Sequence, residues 1–306
     1  MNFDLTEDQV SLLGGLDQLL ASEAPPAPTE PVFTAYAHGL DAALVESGFL
    51  EIAREEGFGL LDAALIVERL ARLPQTVEAA STAIVAPALG LEPGLRPIAL
   101  ATGRPDRAAR FLPMARTLIV DRGSHALILP VEPAHVLPVE TLFAYPYGRL
   151  TEVDESQGQV FADVALLRRV WRVALAAEAA GCMASALAAV VDHVCTRQAF
   201  GRPLGAFQAI QHRLAMAAET TESARWLALR AAWSGRDDDA AVAAGFVQAR
   251  IPPFTFDLHQ FSGAMGLTLE FPLHYWTYRL RALVGELGGS SSQARAASLA
   301  AWGDAA

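Results

Sequence analysis

Residues 162 to 197 form a long stretch with no proline and one interior glycine, Gly181, and this stretch limits the fold more than any other feature. Ala, Leu and Val dominate it, and Ala is the strongest intrinsic helix former. As one helix it would extend on the order of 50 Å at about 1.5 Å per residue. A helix of that length with an almost wholly apolar face must be covered by other helices or by another subunit. It therefore predicts an antiparallel bundle with a place in an oligomer. Its longest uncharged run, 179–191, is too short to cross a bilayer, so no membrane span is expected.

The chain has 306 residues, room for two compact domains or two and a small third. Hydrophobic residues make up 52% and charged residues 19%, which excludes a disordered chain. A net charge of −11 argues against nucleic acid or an anionic membrane as the main partner. Cys182 and Cys195 are too few for a disulfide framework. The acidic start MNFDLTEDQV lacks the features of a secretory signal. Both observations predict a cytoplasmic protein.

Helical periodicity recurs on both sides of a different middle. Thr6 and Gln9 are spaced as a capping box for a helix over 5–22. A proline-rich connector occupies 24–31, and helices are expected at 34–48 and 59–73. The segments 117–121, 125–131 and 135–140 are short, apolar and bounded by Gly or Pro, and read as strands. Pro130 and Pro138 belong at edges or strand ends. Beyond the long helix, others are expected over 206–233, from 239, and over 268–285, with a Gly/Ser-rich patch at 288–292. Pro252–Pro253 should break or kink the second of these. The reading is mainly α with a small β insert: an N-terminal helical domain (1–111), a middle β domain of little more than one sheet (112–162), and a C-terminal helical bundle (163–306).

Several chemistries lack their motifs. There is no G-x-G-x-x-G, Walker loop, H-E-x-x-H, C-x-x-C or G-x-S-x-G, and the seven His are scattered, so no metal site is expected. The segment TRQAFGRPLGAFQAIQHRLA (196–215) stands out. A long helix ends near Arg197, a Gly–Arg–Pro–Leu–Gly turn follows, and another helix begins near Phe207. Arg197 can pair two phosphate oxygens, Phe200 can pack on a ring, and Gly201 permits close backbone approach. Periodicity alone equally allows an ordinary interhelical turn with a solvent-facing arginine.

This segment resembles the R-x-x-F-G-R/K-x-I/L-x-x-F-Q signature of flavin-dependent acyl-CoA dehydrogenases, matching from Arg197 to His212. Three further blocks resemble the same family in the same order: NFDLTEDQ (2–9), EEGFGLLDAALIVERLA (55–71) and HQFSGAMGLTLEFP (259–272). The resemblance implies FAD, which takes a hydride from the β-carbon of an acyl-CoA thioester while a carboxylate removes the α-proton. It implies electron-transfer flavoprotein or a similar acceptor. It also implies that Arg197, Phe200, Leu204, Phe207, Gln208 and Ile210, with Gln260, Gly263 and Ala264, hold the adenine-diphosphate half of an FAD whose flavin end lies in a neighbouring subunit. Leu204, Phe207 and Ile210 also read as simple helix-face core.

The departures are informative. The middle domain is short and lacks the family's usual Thr/Ser-rich and Trp-bearing flavin contacts. Ala264 replaces the second Gly of the Q-x-x-G-G stretch, and Pro252–Pro253 falls in a helix that the family keeps whole. Where the family places its catalytic carboxylate in a Y-E-G-T stretch, this chain reads VGELGGS (284–290). Glu286 and Glu270 are the weak candidate bases. The expected setting for Glu286 is solvent, and for Glu270 a helix N-terminus. Arg279 and Arg281 read as favouring the C-terminus of their helix. The chain resembles the short subunit of heteromeric bacterial acyl-CoA dehydrogenases acting on steroid or other bulky lipid thioesters. A longer homologous chain would supply the base and the β domain in an α2β2 assembly. The alternative is a catalytically inactive helical scaffold of the same fold that binds no FAD.

Overall fold

The computed structural model describes residues 4–26 and 34–303. Much of the proline-rich connector, and Asn2 and Phe3 of the first block, lie outside them. The N-terminal part is built on α1 (Glu7–Glu23), α2 (His38–Glu46) and α3 (Leu60–Ala71). The expected capping box is present: Gln9 N donates to Thr6 Oγ1 at 3.2 Å and Thr6 N to Gln9 Oε1 at 3.1 Å. Gln9 Nε2 also donates to Asp62 Oδ1 at 2.9 Å, and Asp62 Oδ2 accepts from Gly59 N, so the start of α1 is tied to the start of α3. A π-helical turn over Ser81–Val85 runs into a short α4 (Ala86–Ala88).

Pairing in the middle begins earlier than expected, inside 1–111. The strands are β1 (Ile98–Thr102), β2 (Ala109–Arg110), β3 (Thr117–Asp121), β4 (Ala126–Pro130), β5 (Val136–Val139), β6 (Tyr147–Leu150) and β7 (Gln159–Phe161). They make two sheets rather than little more than one: β1-β3-β4-β7, with β1 parallel to β3, and β2-β6-β5. Short apolar runs such as IALAT do not distinguish strand from buried helix, and only β3 beside it settles the choice. Pro130 ends β4 and Pro138 lies in the edge strand β5, where a missing N–H leaves no ladder bond unmade.

The long run forms α5 (Val164–Thr196). By length and composition α5 could cross a membrane, but 78% of its most apolar window is buried in the protein, as in a core helix. A hairpin of β8 (Gln198–Ala199) and β9 (Arg202–Pro203) leads to α6 (Gln208–Ser234), then α7 (Asp237–Ser262), α8 (Leu273–Leu283) and α9 (Gly289–Trp302). The bundle packs α5, α6, α7 and α9, with α8 against α5. Here α7 is not broken: it continues through Pro252–Pro253. Both prolines face solvent, so their rings do not crowd the core, while Ile251 and Phe254 anchor the helix there. The Gly/Ser-rich patch is also a helix start, not a loop.

Gly181 marks the closest helix contact. A Cβ there would lie 2.1 Å from the Glu68 carbonyl oxygen and 2.8 Å from Ala71 Cβ, so only glycine lets α5 approach α3 this closely. The end of α3 is then capped from across the chain. Ser185 Oγ and Trp276 Nε1 donate to Arg72 O at 2.8 and 3.0 Å. Arg279 is buried, not a free charge at its own helix end: it donates to Leu73 O, Pro74 O, Thr76 Oγ1 and Ala144 O. A cation on otherwise unpaired terminal carbonyls satisfies both the hydrogen bonds and the helix dipole.

Candidate functional site

The signature segment folds as a two-residue hairpin. Gln198 pairs with Pro203 and Ala199 with Arg202, leaving Phe200 and Gly201 at the tip with φ of 53° and 79°. Such a turn needs positive φ at both central residues, which Gly201 adopts freely and Phe200 does not. The left-handed conformation costs Phe200 about 1–2 kcal/mol. Its ring is nevertheless 94% exposed. A strained, solvated aromatic at a tip gains little from its own chain beyond one edge contact with Phe207, which points to a role toward something outside it.

The surroundings suit a planar, phosphate-bearing ligand. Arg197 caps α5 through its backbone and leaves its guanidinium in solvent without a side-chain partner among the described residues. Phe200 meets Phe207 edge-on at 6.1 Å, and the Arg202 guanidinium lies 4.0 Å from the Phe207 ring centroid. Gln208 is exposed on the first turn of α6. Leu204 and Ile210 pack partly buried against the bundle core. These two therefore anchor the hairpin, as their helix-face spacing allowed.

The second segment sits at the same end of the bundle. Arg213 on α6 pairs with Asp257 on α7 and lies over Phe261, and His193 near the end of α5 contacts Phe271 at 5.1 Å. Gln260, Gly263 and Ala264 are all exposed at the end of α7. Gly263 turns the chain with φ 58° into a 3-10 turn, Gly263–Leu267. His259 holds that turn, with Nδ1 2.8 Å from Gly266 O and Nε2 3.1 Å from Thr277 Oγ1. Burial lowers the His259 pKa from its ordinary value, against the raising effect of the Gly266 contact.

The two candidate bases are not alike. Glu270 is exposed in a bend ahead of α8, which begins only at Leu273, so it is not at a helix start. Glu286 is not in solvent. Its Oε1 accepts from Arg110 Nε at 2.6 Å and its Oε2 from Trp171 Nε1 at 2.8 Å. Arg110, on β2, also donates through Nη1 to both oxygens of Glu178 on α5, at 2.8 and 2.7 Å, and Tyr145 Oη donates to Glu178 Oε1 at 2.7 Å. Burial alone would lower the Arg110 pKa, but Glu178 and then Glu286 outweigh it and hold the pKa well above the ordinary value. Burial, and then the Glu178 charge, push the Tyr145 phenol well up.

This network sits where the β domain meets the bundle, beside cavities of about 230 and 280 Å³ that both reach Thr102 and Leu287. Asp121, the other carboxylate lining them, is held by Arg168 at 2.6 and 2.8 Å and by Gly123 N. Among the described residues, every carboxylate at this cleft has both oxygens bonded. Sequence reading missed Arg110, Tyr145, Trp171 and Glu178. Only Glu178 carried a signal, as a lone acid amid alanines that burial obliges to find a partner.

Residues 169–296 match the family model described as "Acyl-CoA dehydrogenase, C-terminal domain". The C-terminal part of the chain is therefore similar to the C-terminal domain of acyl-CoA dehydrogenases. It is 32% identical over 140 residues to acyl-CoA dehydrogenase FadE28 of Mycobacterium tuberculosis, covering 43% of this chain and 41% of that protein. It is 26% identical over 247 residues to acyl-CoA dehydrogenase IpdE2 of the same organism, covering 73% and 72%. In the first three curated relatives the matched region spans less than half of their length. Among solved structures, a chain of the ChsE4-ChsE5 complex from M. tuberculosis superposes with a TM-score of 0.79 at 21% identity, covering 96% of this chain and 97% of that one. Butyryl-CoA dehydrogenase from Megasphaera elsdenii gives 0.79 at 20%, covering 97% and 99%. These structures share the acyl-CoA dehydrogenase fold with this chain, including its two helical ends and its middle sheets.

Proposed function

We propose that this chain is a subunit of an FAD-dependent acyl-CoA dehydrogenase that completes a cofactor site on a longer homologous chain. The observation that carries the reading is the contrast between its two sites. The R-x-x-F-G hairpin is exposed and strained with a free guanidinium, whereas the cleft that would need a proton-abstracting carboxylate has none with an unbonded oxygen. Bound FAD would supply the hydride acceptor for forming the 2-enoyl thioester, and electrons would leave to electron-transfer flavoprotein or a similar acceptor.

The donor set fits the cofactor's adenine-diphosphate half. Arg197 offers a planar two-point donor for diphosphate oxygens. Phe200 and Phe207 offer ring faces, with Arg202 keeping Phe207 in place. Gln208 and Gln260 offer amides, and Gly263 and Ala264 expose backbone beside them. The base, and the flavin end of the site, fall to the partner. Supporting an unlike partner is the structural neighbour from M. tuberculosis, which is a chain of the ChsE4-ChsE5 complex.

The test is to purify the chain alone and together with the product of a neighbouring homologous gene, recording the visible spectrum of each. Flavin absorbance and enoyl-CoA formation are expected only in the complex. A yellow, active homo-oligomer sinks the subunit reading. In the complex, Arg197→Ala should release FAD; unchanged FAD content would favour a scaffold that binds none.

A further inference from the structure

The cleft between the β domain and the bundle has a surplus of cations. Its two cavities, of about 230 and 280 Å³, share Thr102 and Leu287. Their walls carry Arg107, Arg110, Arg168 and Arg172 against only two carboxylates, Asp121 and Glu286. Even with Glu178, which shares Arg110 with Glu286, cations outnumber acids here, in a chain whose net charge is −11. The acids are already bonded through both oxygens, so what is left over is guanidinium. Arg172 has the most to offer. It is partly buried, its Nε donates to Gln293 Oε1 at 2.7 Å, and its Nη1 and Nη2 have no partner among the described residues. Arg168 precedes it by one turn of α5, a placement that like charges disfavour. Arg168 gives Nε and Nη2 to Asp121 and Gly123 O and keeps Nη1 unbonded. Burial, and then the Arg168 charge, lower the Arg172 pKa from its ordinary value, and Asp237 and Asp121 offset this only in part.

The leftover donors are also held in place. Gln293, fully buried on α9, accepts from Arg172 and donates through Nε2 to Leu287 O at 3.0 Å. Leu287 is itself in the left-handed region, with φ 51°, and backbone strain of this kind collects at ligand clamps. One buried amide thus fixes both the guanidinium and the strained wall beside it. Gly288, at the start of α9 and without a side-chain cap, continues that wall. We propose that this cleft binds the phosphate group of a small molecule, with Arg172 giving two parallel donors, Arg168 a third through Nη1, and Thr102 its hydroxyl. Phosphate has an oxygen for each of these three side chains, whereas a carboxylate has only two in all. The adjoining cavity, walled by Tyr147 and Trp171, leaves room for a small organic body on that phosphate. The site is distinct from the Arg197 hairpin, which lies about 37 Å further along α5 at 1.5 Å per residue.

The test is isothermal titration calorimetry of the full chain with inorganic phosphate and with phenyl phosphate, with far-ultraviolet circular dichroism to confirm folding. The wild type should bind one phosphate per chain with a Kd of about 1 mM or below. Arg172→Met should weaken binding roughly 100-fold, beyond detection. Arg172→Lys keeps the charge but not the two-point donor, and should weaken it roughly tenfold. Arg197→Ala should bind as the wild type does. Tighter binding of phenyl phosphate assigns a monoester whose body fills the adjoining cavity, and equal binding assigns free phosphate. No binding by the wild type, folded Arg172 variants that bind as tightly as the wild type, or loss of binding in Arg197→Ala alone would each overturn the proposal. The readout involves neither flavin nor thioester, so its failure leaves the cofactor reading standing, and the reverse holds.

Discussion

Replacing Gly181 by alanine tests the way the two helical ends of the chain are joined. Ordinary carbon contacts begin near 3.4 Å, whereas the new methyl would sit 2.1 Å from the Glu68 carbonyl oxygen, on backbone that cannot swing aside. The two helices must part by roughly 1.3 Å, which loosens the Cys182–Ala71 and Ser185–Arg72 hydrogen bonds just beyond it. Overpacking of this kind costs about 1–3 kcal/mol and sometimes more. Alanine returns up to about 1 kcal/mol of helix propensity. A contact this short on backbone belongs to the upper half of that range, so the net expectation is a loss of about 1–2 kcal/mol. Gly14, on an exposed turn of α1 with nothing within 4 Å of its would-be Cβ, is the control. Gly14→Ala should stabilise by up to about 1 kcal/mol, because propensity alone acts there. Thermal unfolding followed by circular dichroism should therefore move in opposite directions for one and the same substitution. If Gly181→Ala melts at or above the wild type, the contact between α3 and α5 is not as close as described and the reasoning fails.

Two more outcomes follow from buried groups. Arg110→Met leaves Glu178 and Glu286 buried without their shared cation, and breaking such a pair costs about 3–5 kcal/mol; denaturant unfolding within 1 kcal/mol of wild type would show the network to be dispensable. His259 is held neutral by burial, with its pKa below the usual 6.5, so the folded state binds fewer protons there than the unfolded one. Its contribution is complete above pH 6.5 and is lost as the pH falls from there through the folded-state pKa. His259→Asn should flatten that part of a stability–pH curve, whereas a curve of unchanged slope would remove His259 as its source.

What the sequence disclosed was local in origin. The long helix, the capping box and β3 come from period and composition within a few residues, and each lies where those signals put it. A turn between α5 and α6 was legible over Gly201–Gly205, but the strand pairing that puts Phe200 and Gly201 at a hairpin tip was not. Hidden features depended on partners far along the chain. Glu286 looked like a solvated acid because Arg110 is 176 residues away. Arg279 looked like a helix-end charge because the carbonyls it caps belong to residues 73, 74 and 144. The prolines of α7 misled for a different reason: both rings lie on the exposed face, and the buried residues on either side, Ile251 and Phe254, hold the helix through them. The start of α9 was unreadable because Gly and Ser favour loops, and only packing against α7 holds them in a helix.

The capping of α3 by α8 has a consequence for how the chain is made. Arg72 and Trp276 are separated by 204 residues, and Thr76 and Arg279 by 203. While the ribosome is still adding the bundle, the end of the third helix lacks these cap partners. Emerging domains usually fold one after another from the N-terminus. This chain fits that order poorly: the cap on its third helix comes only with Trp276 and Arg279, so its opening segment stays less stable until α8 is made. A truncation that spares every residue of the N-terminal part but stops short of Arg279 should therefore yield aggregated product, and nascent chains of increasing length should resist protease only once α8 has cleared the exit tunnel.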